Sequence, residues 1–205
     1  MYEKVIKKSI DIVLSLTAMI ILFPIFVIIA IWIKLDSKGS IFFKQKRVGI
    51  HKKHFEIYKF RTMRTNAPKD CPTHQLFNPE VYITRTGAFL RKTSLDELPQ
   101  LINIIKGDMS FVGPRPALWN QYDLIAERDK YGANDVMPGL TGLAQVSGRD
   151  ELEIPKKAKL DGYYVKHLSP MMDFYCIMRT VEVVLKKDGV VEGGTGALHR
   201  EEKRM

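Results

Sequence analysis

Cysteine is nearly absent: Cys71 and Cys176 stand alone, far apart and in no CxxC spacing. That excludes a disulfide framework and a cysteine zinc site, and it fits a reducing compartment. Acidic residues are also scarce, 23 Asp and Glu against 32 Lys and Arg, for a formal charge of +9. Between residues 34 and 64 the imbalance is sharpest, with ten Lys or Arg against Asp36 and Glu56 alone. No aromatic platform or recognition motif interleaves that basic run, so nucleic acid ranks last among its partners. A solvated face would explain it, as would attraction to anionic lipid headgroups, worth about 1 kcal/mol per cation near the surface.

Charge disappears altogether from Ile12 to Ile33, a run long enough to cross the hydrocarbon of a bilayer. No small-residue cleavage pattern follows it, and Lys34-Leu35-Asp36 comes next, so the segment is expected to be retained. Pro24 lies near its middle, where proline removes one helical hydrogen bond and kinks the chain. Lys4, Lys7 and Lys8 precede the run and the basic stretch follows it, so the positive-inside rule assigns both ends to the cytoplasm. The expectation is a re-entrant helix that breaks at Phe23-Pro24, its freed carbonyls satisfied by Ser15, Thr17 or packing. A proline-kinked span is the alternative.

Beyond the block, Ile41–Gln45 and the alternating Phe55–Phe60 predict two short strands. Three prolines between 65 and 80 mark a loop, and Thr84 to Gly87 a turn. Helices are predicted over Leu98–Lys106, stopping at Gly107, over Pro114–Lys130, from Pro155, and over Met171–Lys187. The last two mix bulky apolar residues with lysines, the pattern of helices lying in a membrane interface, although an ordinary core-facing helix has it too. The fold class expected is mostly α with a few short β strands. A membrane-embedded re-entrant helix occupies 1–38, a cytoplasmic catalytic domain with interfacial amphipathic helices 39–190, and a flexible tail 191–205.

The densest polar cluster runs from Arg91 to Gln100 and places Asp96 and Glu97 side by side at a helix start. Ser94 and Glu97 have capping-box spacing, which would account for the pattern without catalysis. A helix N-terminus also favours ionised carboxylates, and one of the two could attack phosphorus while the other holds a metal. Arg91 and Lys92 nearby suit phosphate oxygens. Gly113-Pro114-Arg115-Pro116 holds an arginine between two prolines, ready to fork onto phosphate, or forms a rigid turn with an incidental arginine. Pro138 to Arg149 carries three glycines that would let backbone amides approach a ligand.

Together these stretches resemble the bacterial sugar transferases, also called monotopic phosphoglycosyl transferases, in their minimal form. The resemblance rests on the proline-centred apolar segment, Tyr58-Lys59-Phe60-Arg61-Thr62-Met63, Ser94 to Gln100, Lys106 to Pro116 and Pro138 to Arg149. One departure is Phe23, where some relatives carry serine before the proline. The resemblance implies a re-entrant helix and an aspartate-glutamate pair working with Mg2+, which falls on Asp96 and Glu97. Asp96 would attack the phosphate that bears the sugar in a UDP-sugar and release UMP. Undecaprenyl phosphate would then collect the sugar phosphate at the cytoplasmic face of the bacterial inner membrane.

Lys59, Arg61, Arg91, Arg115, Gln145 and Arg149 would carry phosphate or nucleotide contacts in that scheme. Membrane lipids are the remaining partner, and the apolar segment could support a homo-oligomer. Residues Pro116 to Tyr122 look like the subset that handles N-acetylated deoxyamino sugars, with galactose and glucose donors left open. Two rivals stay open as well: a noncatalytic membrane-surface scaffold of an exopolysaccharide system, and a direct transfer in which Asp96 only holds the metal.

Overall fold

The structure, a computed structural model, describes residues 2–68, 78–148 and 152–186. A π-helical turn, Tyr2–Lys7, leads into helix α1, Lys8–Asp36. α1 is a single helix with Pro24 inside it, so the proline costs a hydrogen bond without ending the element. Residues 5–36 form a helix long and apolar enough to cross a membrane. Ser15, expected to satisfy a carbonyl, is instead buried with its hydroxyl unpartnered among the described residues.

Both halves of α1 pack on the rest of the chain. Ala18, Met19 and Leu22 lie against Leu101, Ile104 and Met109, while Phe26, Ile29 and Ile33 join Phe60 and Leu90. At its start Lys7 Nζ pairs with Asp173 at 2.6 Å and Tyr2 donates to the same carboxylate at 2.7 Å. At its end the Asp36 carboxylate accepts from the Thr86 backbone amide at 2.9 Å, and Arg61 donates to the carbonyls of Ser37 and Lys38. Between these ties Ile20, Ile21, Phe23 and Ile28 form a band of large apolar side chains left exposed among the described residues.

The two strands form an antiparallel hairpin, β1 (Phe42–Val48) with β2 (His54–Phe60), in the register Gln45 opposite Ile57. The predicted turn at Thr84 proves to be a helix start: Thr84 Oγ1 accepts from the Gly87 amide and caps α2, Arg85–Lys92. A 3-10 turn, Leu95–Glu97, joins α2 to α3, Gln100–Lys106, which ends at Gly107 in the left-handed conformation, φ 80°, as its position past the last apolar residue foretells. β3 (Ser110–Val112) pairs in parallel with β4 (Gly139–Thr141).

The helix expected over Pro114–Lys130 is only α4, Tyr122–Asp129. Residues 114–118 form no helix because their backbone is used elsewhere: Pro114 O accepts from Gly139, and Ala117 O from Val48. α5 (Leu143–Val146), α6 (Ile154–Lys166) and α7 (Pro170–Lys186) complete the order, with Pro155 in the first turn of α6. α6 buries Ala158, Asp161 and Tyr164, whereas α7 exposes Met171, Phe174, Tyr175 and Met178. The interfacial pattern thus suits α7 better than α6. The predicted tail, 191–205, lies outside the described residues.

Candidate active site

A cavity of about 1150 Å³ opens between the β hairpin, the Leu95–Glu97 turn, the 114–118 stretch and the C-terminal half of α7. Among the described residues ten Lys or Arg side chains line it, and the only carboxylates that do so are Asp96 and Glu97. Such a wall suits a ligand of several negative charges.

The local backbone decides how the acid pair is presented. Ser94 adopts φ +56° and caps nothing, so the capping box legible in the sequence does not form. Glu97 turns into the cavity instead, where Arg115 grips both its oxygens, at 2.5 and 3.3 Å, and Lys59 Nζ donates to Oε1 at 2.7 Å. Burial alone would raise Glu97, but Arg115 and Lys59 outweigh it and hold the carboxyl well below the ordinary range. Asp96, the more buried of the two, sits with its Oδ2 3.9 Å from Lys59 Nζ. Burial pushes its pKa up, Lys59 opposes that, and the neighbouring Glu97 charge adds to it. The two carboxylates therefore differ in kind: Glu97 is locked in an ion-pair network and Asp96 is only loosely held.

The other residues singled out in the sequence are distributed unevenly. Lys59, Arg61, Arg91, Arg115 and Gln145 all line the cavity. Arg91 Nε donates to Thr62 Oγ1 at 2.9 Å, and Gln145 Nε2 to the Leu140 carbonyl at 2.9 Å. Arg61 is buried, with its terminal nitrogens on the carbonyls just past the end of α1, so its visible work is to join the hairpin to that helix. Arg149 lies outside the described residues. The glycines of the 138–149 run serve the backbone: a Cβ on Gly142 would stand 2.0 Å from Gly113 O, and one on Gly139 2.1 Å from Gly113 N. They allow two chain segments to touch, which a glycine run signals as readily as ligand approach.

Arg128 and Asp161 were not singled out. Arg128 NH2 meets Asp161 Oδ2 at 2.6 Å with both side chains almost wholly buried, and Arg128 NH1 donates to the Arg115 carbonyl at 2.8 Å. The pair fixes the backbone from which Arg115 reaches Glu97. Their spacing of 33 residues carries no local signal, since only the packing of α4 on α6 brings them together.

Among the described residues no group of three or more His, Cys, Asp or Glu is gathered for a metal. A magnesium ion usually takes one or two carboxylates and completes its shell with water and substrate phosphates. Asp96 and Glu97 fit that pattern, Asp96 the better of the two because Glu97 is engaged by Arg115 and Lys59.

Fold and site together define a small helical protein with a membrane-type helix beside a cationic, acid-bearing cavity. The chain belongs to the bacterial sugar transferase family, whose model matches residues 2–187. It is 42% identical over 177 residues to an uncharacterized sugar transferase, EpsL, of Bacillus subtilis, covering 86% of this chain and 83% of that one. It is 36% identical over 202 residues to the undecaprenyl-phosphate galactose phosphotransferase of Salmonella typhimurium, and 34% identical over 186 residues to the undecaprenyl-phosphate glucose phosphotransferase of Komagataeibacter xylinus. These matches cover 91% and 86% of this chain but only 42% and 35% of those longer proteins.

Proposed function

We propose that the chain transfers a sugar-1-phosphate from a UDP-sugar to undecaprenyl phosphate, giving undecaprenyl-diphosphate-sugar and UMP. The observation that carries this reading is the pairing of a loosely held, buried Asp96 with a cationic wall in one cavity beside a membrane-type helix. The names of the relatives, undecaprenyl-phosphate galactose and glucose phosphotransferases and a UDP-galactose-lipid carrier transferase, support the same substrates.

The diphosphate lies against Lys59, Arg91 and Arg115, which offset its charge and orient it. An Asp96 carboxylate oxygen attacks the phosphorus that carries the sugar. The bond from that phosphorus to the bridging oxygen breaks, and UMP leaves with the electron pair. The sugar phosphate, now an acyl phosphate on Asp96, is attacked by an oxygen of the lipid phosphate, and the carboxylate is regenerated. Glu97 takes no covalent part and holds Arg115 and Lys59 in place. Magnesium, when bound at Asp96 and the substrate phosphates, would neutralise charge that develops on the diphosphate.

Two anchors support a re-entrant α1. Both its ends are tied to the same globular body, through Lys7 to Asp173 and through Asp36 to Thr86, so both lie on that body's side of the bilayer, the cytoplasmic face.

The test is UMP release from a panel of UDP-sugars, including galactose, glucose and N-acetylated deoxyamino sugars, with and without undecaprenyl phosphate and magnesium. Lipid-dependent turnover that needs magnesium and is lost in Asp96→Asn supports the reaction. A mass increase of one sugar phosphate on the wild type, after donor alone, supports the covalent step. Turnover with no such adduct and no UMP burst would mean direct transfer, and no release with any donor would return the scaffold reading.

A further inference from the structure

Part of the same cavity forms an apolar arm, lined by side chains that offer a water-soluble nucleotide sugar no polar contact. One wall is α7, whose Ile177, Thr180, Val181 and Val184 fall at helical spacing on one face. The polar group on that stripe is silenced, because Thr180 Oγ1 donates to the Cys176 carbonyl and meets Thr141 Oγ1, both at 2.6 Å. The opposite wall is α1, through Ala18 and Leu22, four residues apart, and Leu101, Phe111 and Leu140 lie between. Ile177 and Val181 are 38% and 49% exposed although large and apolar. An uncovered apolar surface of this kind marks a binding site more often than chance.

We propose that this arm, between α1 and α7, binds the head-proximal isoprene units of the polyprenyl phosphate acceptor and so aims its phosphate at Asp96. The inference rests on the phosphosugar-transfer reading above and adds the place of the lipid chain. Charge selects the occupant. The arm is continuous with the cationic end of the cavity, so a ligand that fills both must be a phosphate joined to a long apolar chain. One wall belongs to the membrane-type helix, so such a chain enters from the bilayer without crossing water. A groove lined by apolar side chains asks for no polar group on the ligand, which a chain of isoprene units satisfies.

The experiment compares wild type, Val181→Trp and Ala18→Leu, which narrow the arm from either side, with Met178→Trp on the outer face of α7. Two quantities are read for each: the single burst of UMP with donor alone, and kcat/KM for undecaprenyl phosphate in nanodiscs of fixed composition. The expected result is an unchanged burst in all, with kcat/KM lower by about ten-fold in the two narrowing variants, since contact with a few chain carbons is lost. Met178→Trp should match the wild type. An intact burst with unchanged kcat/KM in both narrowing variants would overturn the proposal. Absence of a burst in the wild type would instead strike the covalent reading on which it rests.

Should a narrowing variant lose its burst through misfolding, a photoreactive polyprenyl phosphate decides on the wild type. Its label should fall on residues 12–33 and 170–186 and be displaced by undecaprenyl phosphate but not by a diacyl phospholipid. Label elsewhere, or displacement by the phospholipid, would refute a polyprenyl site.

Discussion

Glu97 spends its charge on two cations, and this sets what its neighbours can do. Arg115 holds it with a two-pronged grip that a lysine could not reproduce, because an ammonium is a single point of charge. Arg115→Lys is therefore expected to lower kcat/KM for UMP release by about ten- to a hundred-fold, the worth of one charged hydrogen bond, while the protein stays folded. Steady-state kinetics beside thermal unfolding would show it, and an unaltered rate would remove Arg115 from the mechanism. Asp161 is a different case, because it neither faces the cavity nor touches substrate. Replacing it with Asn leaves Arg128 charged in a buried site, which costs about 3–5 kcal/mol. Thermal melts of Asp161→Asn in nanodiscs should show a large fall in midpoint, and a midpoint equal to wild type would mean that water reaches Arg128.

Among the elements, the β3 and β4 strands hold Arg115 in register with the cavity. Gly142 has an extended backbone, φ −177°, that any residue adopts, so its constraint is contact and not conformation. A methyl there would overlap Gly113 O, which is backbone and cannot rotate away. Gly142→Ala is expected to force the strands apart, reducing both stability and UMP release, whereas Gly132→Ala meets nothing within 4 Å and should cost only about 1 kcal/mol for its positive φ. Equal behaviour of the two variants by melting and turnover would contradict the contact argument. The same strands explain what could be read from residues alone. The hairpin and α3 announced themselves through alternation and through Gly107, both local signals. α2 hid behind a Thr-Gly pair that resembles a turn, and residues 114–121 looked helical until the bonds from Gly139 and Val48 claimed their carbonyls. The acid pair was legible as a motif. Its separation into a locked Glu97 and a looser Asp96 was not, because Arg115 and Lys59 reach it from 18 and 38 residues away.

For the whole molecule, the question is how a helix of membrane length coexists with a body proposed to serve both a water-soluble donor and a lipid. A helix that spans puts its ends on opposite faces, yet the two ends of α1 are both bonded to one body: Lys7 to Asp173 on α7, Asp36 to the first turn of α2. For one end to be outside the cell, either that buried ion pair or the Arg61 bonds to Ser37 and Lys38 would have to open, leaving buried polar groups unpaired. On the re-entrant reading proposed above, the exposed band from Ile20 to Ile28 would dip into one leaflet and return, with Pro24 within it. Two exposed positions report this directly, Val5 before the band and Leu35 after it. In a Cys71→Ser background, with Cys176 buried, Val5→Cys and Leu35→Cys should both be shielded from a membrane-impermeant maleimide in intact cells. Both should react once the inner face is opened. Labelling of one and protection of the other in intact cells would establish a span and break the link between the anchors and the fold.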